Sequence, residues 1–437
     1  VRISVTGMGY LGAVHAASMA SLGHEVVGVD VDAQKVDALA LGKAPFFEPG
    51  LDELLAGVVA SGALEVTTEP SAVAGCQVHF VCVGTPQASA SGAADLRFVD
   101  AAMAALVDHL GPDDLVVGKS TVPVGTAARL ATYLAAAHPA ATLAWNPEFL
   151  REGFAVEDTL RPDRIVYGVP DGEAGERATA LLDAVYAQAL DDGAPRIVTD
   201  YPTAELVKVA ANSFLATKIS FINAMAELCE VAGGDVTQLA DAIGYDPRIG
   251  RRFLNSGLGF GGGCLPKDIR AFMARADELG AGDAVAFLGE VDRVNGRRRA
   301  RMVDLATEVL GGSVVGARIT VLGAAFKPDS DDVRDSPALD VAARLRALGA
   351  RVTVCDPQAV ANARTKQPDL HYEVDVETAL TGADAVLLLT EWRQFRQLDP
   401  VRAGELVAHR TVLDGRNALD RDAWTAAGWA YRALGRR

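Results

Sequence analysis

The chain has 437 residues, half of them hydrophobic and 22% charged, with 57 acidic against 41 basic side chains. That length is two or three domains' worth of core, and the apolar fraction excludes a disordered chain. A formal charge of −16 excludes a non-specific binder of nucleic acid or anionic membrane, so an anionic ligand would need a basic pocket of its own.

Five cysteines, Cys76, Cys82, Cys229, Cys264 and Cys355, are odd in number, scattered, and lack a Cys-x-x-Cys pair. Neither a disulfide framework nor a metal site is expected from them, and a reducing cytoplasm is. Small residues around Ala16 to Ala20 imitate a secretory signal, but a strand pattern follows at once. No apolar run approaches the ~18 residues of a membrane span, so a soluble protein without a membrane partner is expected.

Arg2 to Thr6 reads as a strand, Gly7 to Gly12 as a tight turn, Ala13 to Leu22 as a helix and Glu25 to Asp30 as the next strand. Gly7-Met-Gly9-Tyr10-Leu11-Gly12 therefore lies between a strand and a helix, the setting of a dinucleotide fingerprint. Gly7 makes the turn, Gly9 admits the pyrophosphate, Gly12 lets the helix pack on the sheet, and the helix N-terminus receives phosphate. Asp30 can accept from both ribose hydroxyls and repels a 2′-phosphate, which favours NAD over NADP. Lys35 is either a cofactor contact or a solvated helix charge.

Apolar runs at Val78 to Val83, Leu115 to Val117, Thr142 to Trp145 and Arg164 to Gly168 alternate with Ala-rich helical stretches such as Val99 to Leu110. The alternation predicts a parallel sheet covered on both faces, the NAD-binding domain over residues 1–195. Thr85 and Thr121 each follow a strand and are placed to face the nicotinamide half of the cofactor, unless they are ordinary loop threonines. In Asn146-Pro-Glu148-Phe149-Leu150-Arg151-Glu152 the carboxylates are proton carriers or part of a solvated, salt-bridged turn.

Thr203 to Ala232 holds a helical pattern long enough for a connector or subunit contact, within a central helical region over 196–300. On it Lys208 and Asn212 share a face with Leu215, Ile219 and Ile222, so the polar pair extends a core-facing stripe and can serve an oxyanion, unless Lys208 merely snorkels from the helix end. In Gly259-Phe-Gly261-Gly-Gly263-Cys264-Leu-Pro-Lys267-Asp268 a cysteine is reached through bare backbone, which a ligand can approach closely, with a cation that favours the thiolate. Covalent catalysis and an inert buried turn are the two readings.

Near residue 318 strand–helix alternation restarts, with strands from Arg318, Arg351, Ala385 and Thr411 and a helix from Ala338 to Leu348. This is a second Rossmann-like domain, 301–437, and its Lys327 and Arg334 suit phosphate groups or pair with neighbouring aspartates. The tail from Ala433 is expected to fray. The fold class is α/β, two doubly wound Rossmann-like domains joined by a long central helix.

Taken in order from Gly7 to Trp392, the segments Ser-Thr-Val-Pro, Asn-Pro-Glu-Phe-Leu-Arg-Glu, Gly-Gly-Gly-Cys-Leu-Pro-Lys-Asp and Phe-Lys-Pro-Asp resemble the UDP-glucose/GDP-mannose dehydrogenase family. The resemblance implies an NAD-dependent four-electron oxidation of a nucleotide sugar's primary alcohol to a carboxylate, with Cys264 as nucleophile. It implies Lys208 and Asn212 for oxyanion stabilisation, and Thr121, Glu152 and Asp268 for proton transfer and water positioning. Gly7, Gly9, Tyr10, Leu11, Gly12, Asp30, Lys35, Thr85, Thr121, Glu152, Lys267 and Arg334 would contact NAD. Glu148, Phe149, Leu150, Arg151, Glu152, Lys208, Asn212, Phe253, Leu254, Asn255, Ser256, Gly257, Gly261 and Lys327 would contact the nucleotide sugar. A homodimer on the central helix is implied, with Arg248 reaching the neighbouring subunit's substrate.

Two positions depart from the family pattern: Phe253, where some relatives have tyrosine, and Gly263, where a larger or hydroxylated residue is usual. Thr390-Glu391-Trp392 resembles the branch that oxidises UDP-glucose; GDP-mannose is the main rival. The Leu-Pro-Lys-Asp ending makes UDP-N-acetylhexosamines a weaker alternative.

Overall fold

The computed structural model describes residues 1–88 and 92–436. The chain divides into two units, one of Val1–Ala211 with Arg270–Gly280, the other of Asn212–Ile269 with the chain from Ala281 onward. Two of the three exchanges between units fall inside continuous helices, Tyr201–Ala232 and Leu265–Glu278, and the third lies between helices at Gly280 and Ala281.

In the first unit, short β-branched runs form β1 (Arg2–Thr6), β2 (Glu25–Val29), β3 (Leu64–Thr67), β4 (Val78–Val81), β5 (Leu115–Gly118), β6 (Thr142–Trp145), β7 (Ile165–Gly168) and β8 (Arg196–Thr199). They make one sheet in the order β3-β2-β1-β4-β5-β6-β7-β8, the first six in the doubly wound 3-2-1-4-5-6 arrangement. Side chains alternate between two apolar layers: Leu115 and Val117 join one buried cluster and Val116 the other, as the pleat requires.

The expected parallel sheet holds with one exception, since β7 runs antiparallel to β6. The helix between them, Ala155–Leu160, has six residues and packs on the first helix, Tyr10–Ser21. It therefore does not make the long crossover that returns a chain in the same direction.

The second unit holds β9 (Arg318–Leu322), β10 (Arg351–Cys355), β11 (His371–Glu373), β12 (Ala385–Leu388), β13 (Thr411–Asp414) and β14 (Ala430–Ala433). These six form an all-parallel sheet ordered β11-β10-β9-β12-β13-β14. The α/β class with two doubly wound sheets is thus as expected. The tail is not loose: Gly435 N donates to Glu230 at 2.9 Å and Arg436 pairs with Asp235 at 3.0 Å. A buried acceptor and an ion pair hold a segment whose sequence carries no periodicity. No helix among the described residues is long and apolar enough to cross a membrane.

The two sheets use the aspartate after their second strand differently. Asp356 is fully buried; its Oδ2 accepts from Ala324 N at 2.7 Å, Ala325 N at 3.1 Å and Trp392 Nε1 at 3.0 Å. Its Oδ1 accepts from Gln358 N at 2.9 Å and Ala359 N at 2.8 Å. This carboxylate is saturated by protein donors and has no capacity left for a ribose. Asp356→Asn turns an amide NH₂ toward N–H groups, and we expect a loss of about 1–3 kcal/mol of unfolding free energy. Urea titration measures it, and a change under about 0.5 kcal/mol would show that the carboxylate does not organise this turn.

Candidate active site

The dinucleotide turn has the form its sequence predicts. Gly7 stands at φ 91°, and a Cβ on Gly12 would lie 1.9 Å from Gly7 O, so this position admits no side chain. Nothing lies within 4 Å of a Cβ built on Gly9, where the backbone faces open space. No side chain caps the first helix, so its leading N–H groups point toward whatever occupies the adjoining cleft. That cleft, of about 610 Å³, is lined by Gly7, Gly9, Asp30, Lys35, Gly84 and Pro86, with Val31 and Phe98 as apolar walls.

Asp30 Oδ2 accepts from Met8 N at 2.7 Å and from Lys35 Nζ at 2.8 Å, and Oδ1 from Asp32 N at 3.0 Å. Lys35 is therefore paired with the ribose-binding candidate rather than freely solvated. Open glycine backbone, an uncapped helix start, an acid beyond β2 and apolar walls together suit a dinucleotide.

The loops after β4 and β5 are tied together: Thr85 Oγ donates to Thr121 O at 2.8 Å, and Ser120 Oγ to Val83 O at 2.6 Å. Glu205, buried on the central helix, accepts from Gly125 N and Ala127 N, both at 2.7 Å. It thereby caps the helix Thr126–Ala137 that follows the Thr121 loop. Burial pushes its carboxyl above the usual range.

The acidic segment after β6 is only partly the salt-bridged turn considered above. Arg151 pairs with Asp158 and stacks on Phe154, whereas Glu148 turns inward. Its Oε2 accepts from Leu150 N at 2.6 Å and its Oε1 meets Lys208 Nζ at 3.0 Å. Lys208 is 5% exposed, so it is an inward, paired ammonium and not one snorkelling to solvent. Phe149 lies under the Arg164 guanidinium at 3.7 Å. Glu152 is half-buried. Behind the segment, Lys119 Nζ donates to Asn146 Oδ1 at 3.0 Å and to Tyr186 OH at 3.1 Å, and burial pushes its pKa down to about 8.

In the second unit Cys264 is exposed, while the other four cysteines are buried. Burial pushes Cys76 up to about 11 and Cys82 and Cys355 up to about 12, leaving them protonated and inert. Cys264 immediately precedes the helix Leu265–Glu278, whose positive end favours a thiolate. Asn212 Nδ2 donates to Asp268 Oδ2 at 2.7 Å, and Lys267 Nζ meets Asp268 Oδ1 at 2.5 Å. Asp268 thus orients the amide and holds the lysine.

On the side where a Cβ would stand, the glycines before Cys264 pack against the chain's own atoms. A Cβ would lie 2.5 Å from Gly415 O at Gly257, 2.1 Å from Asn295 Oδ1 at Gly259, and 2.3 Å from Asp335 O at Gly261. At Gly263 it would lie 2.2 Å from Arg334 Cζ, the far end of a flexible side chain. Arg334 also pairs with Asp332.

Hydrogen bonds reinforce this packing. Gly262 N donates to Arg334 O at 2.8 Å, Phe260 N to Asn295 Oδ1 at 2.7 Å, and Arg416 Nη1 to Gly259 O at 3.0 Å. Arg299 Nη2 reaches Phe260 O at 3.2 Å.

Beside the loop, a second cleft of about 380 Å³ gathers Leu254, Asn255 and Ser256 with Arg251, Arg396 and Arg416. Phe253 stands at φ 65°, a conformation that bulky residues adopt rarely and mostly at functional sites. Arg248 is exposed and paired with Asp246, and Lys327 Nζ lies 5.5 Å from the Phe326 ring centre.

Sequence reasoning missed Arg416, Asn295, Arg299, Glu205 and Glu48. Arg416 follows β13 directly, so its position beyond a strand's carboxyl end could have marked it. The others carry no local signal.

Residues 1–190 match the NAD binding domain of the UDP-glucose/GDP-mannose dehydrogenase family, 202–297 its central domain and 320–421 its UDP binding domain. The chain is 43% identical to the UDP-glucose 6-dehydrogenase of Rhizobium meliloti (strain 1021) over 439 aligned positions, covering 100% of both chains. It is 39% identical to the UDP-glucose 6-dehydrogenase TuaD of Bacillus subtilis (strain 168), covering 100% of this chain and 93% of that protein. A solved UDP-glucose dehydrogenase from the hyperthermophilic archaeon Pyrobaculum islandicum superposes with a TM-score of 0.90 at 40% identity, over 100% of this chain and 98% of the other. The cofactor of the first unit is NAD, and the chain belongs to the UDP-glucose/GDP-mannose dehydrogenase family.

Proposed function

We propose that the chain is a UDP-glucose 6-dehydrogenase, converting UDP-glucose to UDP-glucuronate by two successive oxidations at one carbon. The observation that carries the reading is Cys264: an exposed thiol at the start of the helix that carries Asp268, to which Asn212 donates. A simple alcohol dehydrogenase has no use for such a thiol. The family's UDP binding domain and the named relatives supply the substrate.

NAD⁺, held along the Gly7–Gly12 turn and by Asp30, supplies the hydride acceptor for each oxidation. After the first, the Cys264 thiolate adds to the aldehyde carbon, and the negative oxygen of the adduct is stabilised by Lys208 Nζ and the Asn212 amide. Loss of the second hydride from this thiohemiacetal gives a thioester on Cys264. Water then cleaves the thioester, releasing carboxylate and thiolate, with Thr121, Glu152 and Asp268 positioning water and moving protons. Pairing with Glu148 orients the Lys208 side chain for this role.

We assign the nucleotide to Phe253–Gly257, Gly261 and Lys327, a reading supported by the basic cleft beside Asn255 and Ser256. The remaining NAD and sugar contacts are those the resemblance names. The division into an NAD-binding domain (1–195), a central helical region (196–300) and a nucleotide-sugar domain (301–437) is part of the same proposal. So is a cytoplasmic location, in keeping with the scattered thiols.

The central helix is also proposed to build a homodimer. Phe214, Phe221, Leu228 and Val231 on it are 66, 50, 60 and 82% exposed, an apolar stripe at helical spacing on the second unit. In such a dimer Arg248 would reach the partner's substrate.

Three experiments test these readings. UDP-glucose, GDP-mannose and UDP-N-acetylhexosamines are compared for NADH formation, with two NADH per UDP-glucose expected; one NADH with release of free aldehyde would refute the double oxidation. Cys264→Ser should stall turnover while NAD still binds, and unchanged steady-state turnover would remove Cys264 from the mechanism. Light scattering after gel filtration should give a dimer that Phe221→Asp dissociates; a variant that remains dimeric would exclude this face.

A further inference from the structure

Glu48 lies in the Phe46-Phe47-Glu48-Pro49-Gly50 loop, remote in sequence from every residue given a role above, yet it is 5% exposed. Its Oε2 accepts from the Tyr10 hydroxyl and from Gly153 N at 2.7 Å, and its Oε1 from Ala155 N at 2.7 Å. Tyr10 is the first residue of the helix that opens the dinucleotide turn, and its ring packs on Phe46 at 4.9 Å. Gly153 follows Glu152 directly, and Ala155 begins the helix Ala155–Leu160, which has no side-chain cap of its own.

One carboxylate therefore satisfies backbone donors at both ends of a turn that would otherwise be unpaired, and grips the cofactor turn with its remaining lone pair. Burial and the Glu48 charge push the Tyr10 phenol far up, so it stays a donor.

The geometry points to Glu48 as a positioning residue that couples occupancy of the Gly7–Gly12 turn to the placement of the Glu148–Glu152 segment. This rests on the assignment of that turn to NAD and of that segment to substrate and proton transfer. A dinucleotide seated against Gly9 and Tyr10 bears on the phenol, the phenol on Glu48, and Glu48 on the two amides that set where Glu152 stands. A brace that merely supports the fold would make the same bonds but would not respond to the cofactor.

Hydrogen exchange of the 148–156 amides, read by mass spectrometry on the full chain without sugar, separates the two. NAD is present at about ten times each protein's own Kd or absent, so altered affinity does not enter. In the parent, NAD should slow exchange in this segment about fivefold or more, a coupling of ordinary size. Glu48→Gln should abolish the response, and so should Tyr10→Phe, which keeps both backbone bonds to Glu48. Persistence of the NAD response in Tyr10→Phe, or no response in the parent, would overturn the coupling. If Glu48→Gln fails to fold, Tyr10→Phe carries the test alone. Failure of the UDP-glucose reading would look different: no NADH from the sugar, with the exchange response to NAD intact.

Discussion

The loop that leads to the exposed Cys264 is held by pressing bare backbone against the facing chain. At Gly257 and Gly261 any Cβ would collide with a carbonyl oxygen of the facing chain, and at Gly259 with the Asn295 amide. Glycine is the residue that permits such approach, at the cost of the conformational freedom it gives up on folding. The buried peptide groups must then find partners, and they find them in Asn295, Arg299, Arg416 and the Arg334 carbonyl. These contacts fix the loop that leads to Cys264.

The first unit solves a similar problem with buried charge. Glu205 and Glu48 each cap a helix that follows a loop bearing proposed functional residues, and the Glu148–Lys208 pair sits in a nearly dry setting. Removing one partner of such a pair leaves an uncompensated charge, far costlier than losing a surface salt bridge. The same logic separates the two Rossmann-like sheets. Asp30 lines an open cleft and shares its oxygens with Met8, Asp32 and Lys35. Asp356 is buried and saturated. Equivalent sequence positions thus have different capacities for ligand.

Much of this was legible beforehand. Strands announced themselves as β-branched runs, the glycine fingerprint stood between strand and helix, and Lys208 fell on an apolar stripe. The exception in the sheet, β7, was not legible, because strand direction depends on where the intervening helix packs, and that is a contact rather than a pattern. The tail was misjudged for a like reason: its anchors, Glu230 and Asp235, lie some two hundred residues away.

The sequence by itself determined the α/β class, the dinucleotide turn and the family, and it singled out Cys264 as the candidate nucleophile, since each rests on residues close together along the chain. Only the tertiary structure decided what the glycines before Cys264 pack against and which distant carboxylates hold the loops after β5 and β6. Those facts depend on which backbone donors remain unpaired after folding and on which remote side chain lies within hydrogen-bond reach, and neither is encoded in local spacing.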